Sequence, residues 1–126
     1  MIAIINGQEG STIDVFKSSD SILQLTLLSD GAAGPTGQVL RAGTPLDITG
    51  DTITLEVYDS VQRKNAAAVA LPCTIVSATA GQGTIAISLA NSALIPAGVS
   101  YGFIKRSENI GTSVEFSRQF VTINQK

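Results

Sequence analysis

The stretch from Asp47 to Asp59 limits the possible folds of this chain more than any other. Ile53, Leu55 and Val57 alternate with Thr52, Thr54, Glu56 and Tyr58. That period of two marks a strand with one face in a core and the other toward solvent. Just ahead of it, Thr49-Gly50-Asp51 joins a glycine to a side chain able to bond local backbone, so a turn fixes where the strand begins and which residues face inward. Glu56 and Asp59 then fall on or beside the solvated face.

The same sequence of turn and alternating strand recurs. Ser11 to Lys17 places Thr12, Asp14 and Phe16 on one side and Ile13 and Val15 on the other, either of which suits a core. Lys17 to Asp20 breaks this strand. Leu23, Leu25 and Leu27 then alternate with Gln24 and Thr26 up to the turn Ser29-Asp30-Gly31. Residues 60–71, with Arg63-Lys64 and a run of alanines, read as a loop or edge segment ended by Pro72. A strand follows at Cys73 to Ser77. Thr84 to Leu89 points Ile85, Ile87 and Leu89 inward, and Asn91 to Ile95 is at most a helical turn before Pro96-Ala97-Gly98. Val99, Tyr101 and Phe103 share a face. In the last strand, Ser113 to Ile123, the apolar positions change parity, which predicts a bulge at residues 118–120.

Seven strands with turns at this spacing predict an all-β, two-sheet antiparallel sandwich. Leu25, Leu55, Ile87 and Phe103 should meet between the sheets. Composition agrees, since 44% of residues are apolar but only 5% aromatic, so the core must rest on Ile, Val and Leu. A chain of 126 residues supports one such core.

Residues 1–10 read as an amino-terminal arm and 11–126 as the domain, interrupted by a long Gly, Ala, Pro and Thr loop at 32–45. The arm carries Ile2, Ile4 and Ile5 ahead of a hinge at Asn6-Gly7. It either pairs within its own domain or adds a strand to a neighbour's open sheet edge. In the loop, Val39-Leu40-Arg41 is either a contact point or packs on the domain's own flank. These six residues are the candidate interaction sites, with a homo-oligomer such as a trimer as the expected form.

Several functions fit poorly. A net charge of −2 without a basic stripe argues against nucleic acid. The apolar start is too short for a leader, and no run reaches a membrane span, so a soluble protein made in the cytoplasm is expected. With no histidine and one cysteine, the usual general base and the usual zinc ligands are missing. Cys73 permits no intrachain disulfide and reads as a small buried hydrophobe. Asp47 and Asp51 flank Gly50 without the spacing of a calcium loop, so turn stabilisation is the reading there. No catalytic residue, metal or cofactor is expected.

Four fragments carry a resemblance: Ser29-Asp30-Gly31, then Leu46-Asp47-Ile48-Thr49-Gly50, then Gly81-Gln82-Gly83-Thr84-Ile85, then Ile95-Pro96-Ala97-Gly98 ahead of Tyr101. Over residues 13–123 the chain resembles the immunoglobulin-like β-sandwich domains of tailed-phage virion proteins, such as baseplate upper proteins and head-decoration domains. The resemblance implies a non-enzymatic bacteriophage structural protein located in the virion. It implies a capsid decoration or cement protein that binds neighbouring shell subunits, with baseplate or tail-fibre attachment as the alternative. Under it, Tyr101 takes the place of a tyrosine corner. The long 32–45 loop departs from the family's short connection, and a chain closing with its last strand suits a free-standing accessory piece. A carbohydrate-binding sandwich is the other class, with Tyr58 and Phe16 as the rings left for a sugar.

Overall fold

The computed structural model describes residues 1–16, 20–29, 44–109 and 113–126. Among them the chain is all-β, with nine strands and one short helix. The strands are β1 (Ile2–Ile5), β2 (Thr12–Val15), β3 (Ser21–Leu28), β4 (Thr52–Tyr58), β5 (Val69–Ser77), β6 (Gln82–Ile87), β7 (Gly98–Ser107), β8 (Val114–Phe116) and β9 (Val121–Gln125). They form one curled mixed sheet in the order β1-β3-β6-β5-β4-β7-β9-β2, with β8 paired to β7 off this path.

Alternation places the strands as the sequence predicts at β3, β4 and β6. Leu23, Leu25 and Leu27 are buried, as are Ile53, Leu55 and Val57, and Ile85 and Ile87. The curl comes from β5. Its first half, Val69 to Pro72, pairs with β4, and its second, from Cys73, pairs with β6. Pro72, which has no N–H to give to a ladder, stands where the partner changes. Both halves of the sheet then face one aliphatic core. It takes Ala3 and Ile5 from β1, Ile13 and Val15 from β2, and Ile104, Val121 and Ile123 from β7 and β9.

Four expectations change. The strand count is nine among the described residues, not seven. The residues taken as an arm form β1, antiparallel to β3 from Ile2↔Leu28 to Ile5↔Leu25. The sheet is not wholly antiparallel, because β2 runs parallel to β9. The last strand is not bulged but divided into β8 and β9. Between them the Ser117 hydroxyl accepts the Ile104 N–H at 3.1 Å, and the Ser117 N–H donates to the Ile104 carbonyl at 2.8 Å.

The helical turn is a helix, α1 (Leu89–Leu94), and Leu89 begins it rather than facing the core from a strand. Ser88 caps it by accepting the Asn91 N–H at 3.2 Å. Asp20 accepts the Leu89 N–H at 2.9 Å, tying the start of β3 to the helix.

The core-facing residues of β7 are Ser100, Gly102 and Ile104, not Val99, Tyr101 and Phe103. Gly102 lies opposite Val57, and a methyl group there would sit 2.9 Å from Leu55 Cδ1 and 3.0 Å from Ile123 Cδ1 and Val121 Cγ2. The neighbouring aliphatic chains fill that space, so β7 carries its rings on the outside. Phe103 accordingly does not join Leu25, Leu55 and Ile87.

Candidate functional site

The outer face of β4, β7, β8 and β9 gathers every aromatic ring of the chain except Phe16. Strand pairing explains this. Tyr58 lies opposite Tyr101, Glu56 opposite Phe103, and Phe116 opposite Lys105, so alternation sends all six side chains to one side. Phe103 is the hub. It meets Tyr58 edge-on with centroids 6.0 Å apart, Phe116 edge-on at 6.4 Å and Phe120 tilted at 6.0 Å. Tyr101 meets Phe120 edge-on at 5.2 Å. Edge-to-face contacts of this kind add to the energy of simple burial.

The layer is capped by a cation. Arg63, in the connection between β4 and β5, places its guanidinium 3.9 Å from the Phe116 centroid and 4.6 Å from that of Phe103. The connection reaches over the rings because Arg63 adopts a left-handed φ of 52°, with its N–H donating to the Ser60 carbonyl at 3.2 Å. Asn65 donates to Asp59 at 2.9 Å and holds the same connection closed.

Glu56 is 9% exposed, which corrects the expectation of a solvated carboxylate. It accepts the Tyr58 hydroxyl at 2.8 Å and ion-pairs with Lys105 at 3.3 Å. Burial, followed by the hydrogen bond to Glu56 and its charge, raises the Tyr58 pKa above the ordinary tyrosine value. A carboxylate, two cations and a bed of rings suit adhesion to flat or cationic groups.

A second polar group closes the other end of β4 and β7. Arg106 bonds Asp51 at 2.8 Å, Glu108 at 3.1 Å and Glu115 at 3.2 Å. Burial opposes its charge, but the hydrogen bond and charge of Asp51, helped by Glu115 and Glu108, outweigh it and raise its pKa. Asp47 accepts the Thr49 hydroxyl at 2.6 Å and the Thr49 N–H at 3.0 Å, which lower its pKa. Asp51 also accepts the Asn109 N–H at 3.0 Å. Both carboxylates are thus used in fixing the turn before β4 and the end of β7.

The candidate interaction residues do not come together as one surface. Ile2 and Ile5 are buried within the domain, and Ile4 is half-buried in β1. They hold the chain's own fold, and of the two readings of the arm it is pairing within its own domain that is observed. Val39, Leu40 and Arg41 lie outside the described residues. Cys73 is partly buried, and burial raises its thiol pKa, in keeping with a structural residue. Tyr101 turns its ring to Phe120 on the outer face, not to a corner. Phe16 is exposed.

The aromatic layer was not expected, because Tyr101, Phe103, Phe116 and Phe120 read as core residues. One signal was present. Glu56 and Tyr58 stand two apart on a strand, and so share a face. Arg63 gave no signal, because its place depends on how the connection folds back. No family model matches the chain, and no curated protein matches it.

Proposed function

We propose that the curled sheet is an immunoglobulin-like two-sheet sandwich and that the chain is a non-enzymatic structural protein of a tailed-phage virion. Its role is that of a capsid decoration or cement protein bound to neighbouring shell subunits. Strand order supports the sandwich most directly. In chain order the path reads as A, B, E and D in β1, β3, β6 and the second half of β5, then C, F and G in β4, β7 and β9. The one parallel pair among the described residues, β2 with β9, comes from the first strand dividing its length between the two sheets. The decoration role rests on the resemblance in the four sequence fragments. With β1 committed to its own domain, the loop at 32–45 with Val39, Leu40 and Arg41 becomes the leading contact segment. Mass spectrometry of purified phage particles should find the protein at a stoichiometry matching a capsid lattice site, and a particle reconstruction should place it on the head. Its absence from purified particles would end the proposal, and density on the tail would move it to the baseplate alternative.

The aromatic layer favours a second reading, a sugar-binding sandwich, because Tyr101, Phe116 and Phe120 remain partly exposed beside Glu56 and Lys105. Under that reading a glycan array gives ligand-specific signal that Phe116→Ala removes. A blank array would retire it.

A further inference from the structure

The two ends of the strand path do not meet. β3 extends over Ser21–Leu28, yet β1 covers only Leu25 to Leu28. The chain turns away at Asn6 and Gly7, both left-handed with φ of 51° and 86°, and crosses to β9 as β2. The hydrogen bonds show which main-chain groups this crossing leaves open. The Asn6 N–H donates to the Gln24 carbonyl at 2.9 Å, and the Gln24 N–H donates to Asn6 Oδ1 at 2.9 Å. Even-numbered residues of β3 therefore bond toward β1. By strand alternation Ile22 turns its N–H and C=O the same way, where no strand among the described residues lies opposite. On the other wall, the Ser11 carbonyl accepts the Thr122 N–H at 3.1 Å and the Val15 carbonyl accepts the Lys126 N–H at 2.8 Å. Odd-numbered residues of β2 face β9, so Thr12 and Asp14 turn their main-chain groups outward.

A cleft of about 400 Å³ separates these two edges, with Ile5, Ile13 and Leu23 among its lining. The buried Ser11 hydroxyl also lines it and has no hydrogen-bond partner among the described residues. The β2 wall carries Asp14, ion-paired with Lys126 at 3.5 Å, whereas the open part of the β3 wall has no charged guard. Ser21 to Leu23 and Thr12 to Ile13 hold no proline, lysine or bulge, and Ile22 is 64% exposed beside the open edge.

We propose that this cleft accepts an extended segment of another polypeptide, which completes both open edges with main-chain hydrogen bonds. The complementary chemistry is a backbone, because the N–H and C=O groups of Ile22 on one wall, and of Thr12 and Asp14 two residues apart on the other, are matched by those of an extended strand. Its side chains alternate, with apolar ones toward Ile5, Ile13 and Leu23 and polar ones outward. The assignment does not depend on the chain being a virion component.

The test uses the full chain and, as probe, a blocked hexapeptide of alternating threonine and valine. Hydrogen exchange followed by NMR reads the amides of Thr12, Asp14 and Ile22. In the free protein all three exchange fast; millimolar peptide slows them, while the same peptide N-methylated on its pairing edge leaves them unchanged. Ile22→Pro removes the donor of one wall without breaking a hydrogen bond of the fold, and weakens binding roughly tenfold, the scale of one such bond. Thr12→Pro does the same on the opposite wall and serves if Ile22→Pro fails to fold. The proposal is overturned if the three amides are already slow in the free protein, if the peptide slows none of them, or if binding is indifferent to a folded proline variant. Slowing confined to the Ile2–Ile5 edge would place the peptide elsewhere and also overturn it.

Discussion

The inner face of the β4–β7 pair is aliphatic, with Ile53, Leu55 and Val57 against Gly102 and Ile104, while the outer face carries Glu56, Tyr58, Phe103 and Lys105 under Arg63. The same two strands build both. Inside, cohesion comes from filled volume, so any change of size is felt. Outside, it comes from ring edges, a cation over rings and one buried carboxylate, contacts that are directional and individually small. Rings were thus placed where they can meet a charged cap, and the branched aliphatic chains where only packing counts.

The largest effect should follow deletion of residues 1–10. Met1, Ile2 and Ile5 are nearly fully buried, and each such side chain is worth about 1.5–3 kcal/mol. The shortened chain should therefore unfold or melt far below the full chain in calorimetry. A melting temperature close to that of the full chain would show that β1 is a detachable arm after all.

Leu55→Ala comes next. Its side chain is fully buried at the centre of the aliphatic face, and the loss of transfer energy plus a cavity should cost about 2–5 kcal/mol in denaturant titrations. A cost below roughly 0.5 kcal/mol, the level of a surface change, would mean that the inner face is not where the alternation puts it.

On the outer face the expected terms are smaller. A double-mutant cycle between Arg63→Ala and Phe116→Ala should return a coupling of about 0.5–1 kcal/mol, the size of a partly exposed cation–π contact. No coupling would reduce Arg63 to a spectator of the aromatic layer.

The smallest effect should be alkaline. The folded-state pKa of Tyr58 is raised by burial and by Glu56, so the folded protein holds that proton more tightly than the unfolded chain. The resulting stability is fully present below the unfolded value of about 10 and is lost as pH rises through the folded value. Thermal melts should show the wild type losing stability in that window more steeply than Tyr58→Phe. Equal slopes would remove the Glu56 and Tyr58 pair from the account.

How much was legible follows from the same contrast. Strands β3, β4 and β6 could be read because leucines and isoleucines at alternate positions leave one choice of inner face. β7 misled. Its apolar residues at 99, 101 and 103 suggested one core face, but the true inner residues are a serine, a glycine and an isoleucine, and glycine carries no hydrophobic signal. The aromatic layer was hidden by the assumption that large rings go inside. Nothing in the sequence near Ser21 or Thr12 pointed to a cleft between them.

Alternation and turn chemistry act over a few residues, so the all-β class and a local turn could be read from the residues alone. The turn at Asp47 to Asp51 is an example, closed by Thr49 bonding to Asp47 and by the Asp51 N–H bonding to Ile48. Which strands neighbour one another, that β5 serves both halves of the sheet, and that the first residues divide between β3 and β9 were set by long-range contacts. These depend on partners far apart in the chain. A strand's own residues specify which face it buries, but its edge hydrogen bonds are the same N–H and C=O groups everywhere, so partner choice waits for the core to form.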